Sequence, residues 1–86
     1  MNKVTNNEYQ RIFELNSLAN DGEASAKEKD ELMYLLNKAG SLSKEDYASY
    51  VNGRDVDKIL KYALIAAGVL LLVHALKEMF EGGGRP

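Results

Sequence analysis

Residues 62–76 read YALIAAGVLLLVHAL, fifteen positions without a formal charge. From Ala63 to Val73 there is no polar side chain. A helix on a soluble core shows a polar residue every three or four positions, so this segment predicts a helix that is apolar all round. Such a helix needs lipid or protein on every side. An 86-residue chain has little protein to spare, since a domain of this size hides only about 60% of its unfolded surface. The flanks carry charge and aromatic rings: Lys58, Lys61 and Tyr62 at one end, Lys77 and Phe80 at the other. These five are the candidate membrane-interface residues. Lysine stems reach outward from apolar surroundings and tyrosine is a characteristic belt residue.

Length is the argument against a simple span. At 1.5 Å per residue, Lys61 to Lys77 covers about 24 Å and Tyr62 to Phe80 about 27 Å, against a hydrocarbon core of about 30 Å. Ile59 and Leu60 extend the apolar reach at the entry, and Met79 and Phe80 at the exit. A short span suits a thin bilayer. The competing expectation is a soluble homo-oligomer in which the same helix is buried among its own copies.

The rest of the chain is charge-studded. Net charge is −2, from 11 Lys plus Arg against 13 Asp plus Glu, with no block of one sign. Nucleic acid, which selects a basic face, is not the expected partner. Without cysteine there is no disulfide framework and no zinc-thiolate site. The N-terminus lacks the apolar core of a signal peptide. The single proline is the last residue, so nothing interrupts a helix.

Three helix starts are written as caps. Thr5-Asn6-Asn7-Glu8 is a capping box, flanked by Val4 and Tyr9 at hydrophobic-staple spacing. The helix that follows carries Tyr9, Ile12, Phe13, Leu15, Leu18 and Ala19 and stops at Asn20-Asp21-Gly22. Ser25-Ala26-Lys27-Glu28 opens a second helix with Leu32, Leu35, Leu36 and Ala39 as its stripe, and Gly40 stands at the C-cap. Ser43-Lys44-Glu45-Asp46 is an acidic variant of the box, opening a short helix with Tyr47, Tyr50 and Val51 before Asn52-Gly53. Asp55 is the expected N-cap of the last helix, about residues 56–81. The predicted fold is all-α: three short amphipathic helices followed by one long, strongly apolar C-terminal helix. The predicted division is an N-terminal helical domain, 1–53, a long helix, 54–81, and a flexible tail, 82–86.

The string Leu32, Leu35-Leu36, Gly40-Ser41-Leu42-Ser43 and Asp46-Tyr47 resembles the SHOCT domain, a short bacterial helical hairpin, over residues 32–51. Asp46 and Tyr47 stand where that family has Glu and Phe. The resemblance implies a hairpin that accompanies membrane segments and takes part in oligomerisation, and it assigns no site residue.

Chemistry has little to work with. Asn20-Asp21-Gly22 with Glu28 imitates the end of an EF-hand loop, but the earlier ligand positions would be Ser17 and Ala19, too few carboxylates for calcium. His74 is the only histidine, with Glu78 four residues on and able to share its helix face. Gly82-Gly83-Gly84 follows a helix, whereas a phosphate loop precedes one. No catalytic residue, cofactor, metal or small-molecule substrate is expected. The expected partners are a lipid bilayer, further copies of the chain and an unidentified protein. Ala63, Ala67 and Ala75 recur in multiples of four, with Gly68 alongside and Leu71 between them. These five are the candidate helix–helix contact, because small residues at that spacing let backbones approach closely. The expected location is a membrane with the N-terminus cytoplasmic, or a cytoplasmic soluble assembly on the competing reading.

Overall fold

The computed structural model describes residues 4–83, and among them are four helices and no strand. The helices are α1 (Asn6–Asn20), α2 (Ala26–Lys38), α3 (Lys44–Val51) and α4 (Val56–Gly83). The all-α expectation holds, long apolar C-terminal helix included.

The starts of α1 and α2 are full capping boxes. Thr5 accepts from the Glu8 amide while the Glu8 carboxylate accepts from the Thr5 amide, and Ser25 and Glu28 repeat the exchange. In α3 the Ser43 hydroxyl accepts from the Asp46 amide at 3.0 Å. Asp55 departs from the expected cap. Its carbonyl accepts from Ile59, but its backbone is left-handed, φ +49, where Thr5, Ser25 and Ser43 are extended. Asp is one of the few side chains that tolerates that region. The chain needs the sharper bend because only four residues separate α3 from α4.

The ends of the three short helices share one device. At the end of α2, Gly40 donates to Asn37 and Ser41 donates to Leu36, the paired bonds of a Schellman motif. Gly40 sits at φ +83, and a Cβ there would meet nothing within 4 Å. Strain would therefore come from the backbone alone. Gly40→Ala is expected to lower stability by about 1–2 kcal/mol without moving a neighbour, measured as a urea midpoint. An unchanged midpoint would contradict the left-handed geometry.

Packing follows from the stripes. Ile12 and Leu15 of α1, Leu32, Met33, Leu35 and Leu36 of α2, and Leu42 form one core with Ile59, Ala63 and Ala67 of α4. The core is thus shared across position 53/54, where the sequence suggests a division. Phe13 and Val51, placed by spacing on the apolar stripes, are exposed. The helix α4 continues through Gly82 and Gly83, two residues beyond the expected end, and the remainder of the expected tail, 84–86, lies outside the described residues. At 28 residues, α4 accounts for most of the 50 Å long dimension.

Two ion pairs join α1 to α2. Arg11 grips Glu31 through Nε and Nη2 at 2.8 and 2.9 Å, and the Lys38 ammonium donates to Glu8 at 2.8 Å. Lys38, with help from the Thr5 amide, holds the Glu8 carboxyl below its ordinary range, and Arg11 does the same for Glu31. A carboxylate with a lowered folded pKa adds stability above its unfolded value of about 4.3 and loses it as pH falls through the folded value. Melting temperature is accordingly expected to drop once pH falls below about 4.3, with the loss deepening as both groups protonate. Glu8→Gln with Glu31→Gln should flatten that acid limb in a series of thermal melts. A limb as steep as the parent's would assign it to other carboxylates.

Candidate membrane-contact face

The helix α4 has two unlike sides. One side carries Ile59, Ala63 and Ala67, which are buried against the other helices, with Leu60, Leu64, Leu70 and Leu71 partly covered around them. Small side chains at 63 and 67 let α1 and α2 come close. The other side carries Tyr62, Ile65, Val69, Leu72, Val73, Leu76, Met79 and Phe80, all exposed. Scattered apolar residues are normal on a surface, but a contiguous apolar face this long marks a contact with lipid or protein. The stretch Val56–Phe80, 25 residues, is long and apolar enough to cross a membrane, and only 17% of its most apolar window is buried inside the molecule. The core helix of a soluble protein of the same composition would be mostly buried.

The expected interface residues all reach the surface. Lys58, Lys61, Tyr62, Lys77 and Phe80 are exposed, and Phe80 is the barest at 81%. The expected helix–helix contact does not form one surface. Ala63 and Ala67 do meet helices, but those of their own chain. Leu71 is half-buried at the rim of the same core, whereas Gly68 and Ala75 are exposed, and nothing lies within 4 Å of a Cβ built at Gly68.

His74 finds a partner that its spacing to Glu78 does not suggest. Its ring stacks on Tyr9 of α1, centroids 3.7 Å apart and planes within 10° of parallel. The stack closes the end of the α1–α4 seam, beside an open groove that Phe13, Leu71, Leu72 and Glu78 also line. Sequence carries no signal for this pair, because its members stand at opposite ends of the chain. Among the described residues no group of three His, Cys, Asp or Glu side chains is placed to hold a metal ion.

Comparison with protein-family models, curated proteins and solved structures gives no match.

Proposed function

We propose that α4 attaches this protein to a lipid bilayer and that the three short helices form the working body of a small, non-enzymatic scaffold, recruitment or regulatory protein. The observation that carries the reading is the bare side of α4, where only 17% of the apolar window has protein cover. No carboxylate interrupts the sequence from Lys58 to Lys77, and each charge in the hydrocarbon would cost about 2.5–3.5 kcal/mol at mid-depth. Expression of the full chain without detergent, followed by an alkaline wash of the membrane fraction, tests it. The protein should stay in the washed membranes.

Orientation follows the distribution of cations. Arg54, Lys58 and Lys61 precede the apolar stretch and Lys77 and Arg85 follow it, a three-to-two excess that supports a cytoplasmic N-terminus by the positive-inside rule. A C-terminal reporter that works only in the cytoplasm should give little signal, and full signal would reverse the assignment.

The packing of α1 and α2 along one side of α4 favours a second reading, a soluble homo-oligomer in which copies cover the bare sides. The resemblance of residues 32–51 to an oligomerising hairpin is compatible with either. Recovery in the soluble fraction with a discrete oligomer mass would select this second reading and overturn the first.

A further inference from the structure

We infer that α1 and α2 lock α4 out of the bilayer: α4 lies either under these two helices or across a membrane, and insertion requires the cover to leave. The inference rests on the membrane reading above. Cover on α4 runs from Ile59 to His74, about 22 Å at 1.5 Å per residue. That is nearly the whole apolar stretch between Lys61 and Lys77. A bilayer drawn around α4 in this arrangement would also enclose α1 and α2.

Those helices are unfit for hydrocarbon. Glu8, Arg11 and Glu14 of α1 and Glu31 and Lys38 of α2 all engage in ion pairs. The pairs remain wet: the Arg11 and Glu31 side chains are 39% and 41% exposed, those of Lys38 and Glu8 32% and 26%. Lipid would strip that water from five charged groups at once. The covered side of α4 presents far less of an obstacle: Ile59, Leu60, Ala63, Leu64, Ala67, Leu70 and Leu71 are apolar, and its polar ring, His74, lies at the end of the apolar stretch.

The seams are also unequal in kind. Among the described residues, the polar bonds that cross between helices join α1 to α2. The helix α4 meets them through apolar side chains and the Tyr9–His74 stack. Acyl chains can replace apolar contact, which has no direction, whereas they cannot replace an ion pair. The α1–α2 pair therefore keeps its own bonds when α4 departs.

A tether across the seam tests the lock. The chain has no cysteine, so Tyr9→Cys with His74→Cys gives a single pair, which a short, cleavable bismaleimide can bridge. Parent and bridged protein, each with a C-terminal epitope tag, are mixed with vesicles of phosphatidylcholine and phosphatidylglycerol. Insertion is read as protection of the tag from external protease. The parent should become protected, the bridged protein should stay digestible, and cleaving the bridge should restore protection. Equal protection with the bridge intact would overturn the lock while leaving the membrane reading standing. A parent that never becomes protected would overturn both. Ile12→Val, which trims one methylene from the buried cover, needs no bridge. It should speed insertion roughly 2- to 10-fold by raising the population of the opened form. An unchanged or slower rate would overturn the lock even where the double variant folds poorly.

Discussion

Leu36→Ala is expected to lower the stability of the fold by about 2–5 kcal/mol, the cost of a lost transfer term and a residual cavity. Leu36 is fully buried and belongs to the core shared by α1, α2 and α4. A small domain has only about 0.05–0.15 kcal/mol of stability per residue, so a loss of that size removes much of what holds this one together. Val51→Ala is the control, because Val51 is 65% exposed at the end of α3, and surface changes of this kind stay within about 0.5 kcal/mol. Urea denaturation followed by circular dichroism compares the two. If Leu36→Ala moved the midpoint no further than Val51→Ala, α2 would not be packed as described.

Leu72→Arg is expected to remove the protein from alkaline-washed membranes while leaving its melting temperature nearly unchanged. Leu72 is 60% exposed on the bare side of α4, so a charge there meets water in the folded form and costs little. Near the centre of a bilayer the same charge costs about 2.5–3.5 kcal/mol, on the order of a 100-fold loss of partitioning. The site matters: Ala67→Arg would break the fold by burying a charge under α1 and α2, and its loss from membranes would say nothing about lipid. Retention of Leu72→Arg in washed membranes with an unchanged melt would sink the spanning role of α4. On the oligomer reading the variant would instead shift the soluble assembly to a smaller mass, with no membrane pool to lose.

Short-range chemistry is what the sequence displays. The capping hydroxyls of Thr5, Ser25 and Ser43 act on amides three residues away, and the turn glycines act on carbonyls within the preceding turn. Spacing alone reveals such bonds. The stripe Leu32, Leu35 and Leu36 is legible for the same reason, since charged residues on either side mark its phase. Phe13 and Val51 obey the spacing but are exposed, and a list of apolar positions does not separate those a neighbouring helix covers from those it leaves bare.

The ion pairs show the limit of that reading. Arg11 and Glu31 are 20 residues apart, and Glu8 and Lys38 are 30 apart. Each could pair with many opposite charges until the antiparallel course of α1 and α2 selects one. Tyr9 and His74 are further apart still, and only the return of α4 along α1 stacks them.

The chain by itself determined four helices, the caps of the first three and a last helix that is apolar all round. Which side of that helix turns inward was left to the tertiary structure. A segment without polar residues from Ala63 to Val73 has no phase for periodicity to detect. Contact with helices distant in the chain decided instead: Ile59, Ala63 and Ala67 lie against the core while Ile65, Val69, Leu72 and Val73 are left bare. Side-chain size does not separate the two sides, because Gly68 is exposed as well.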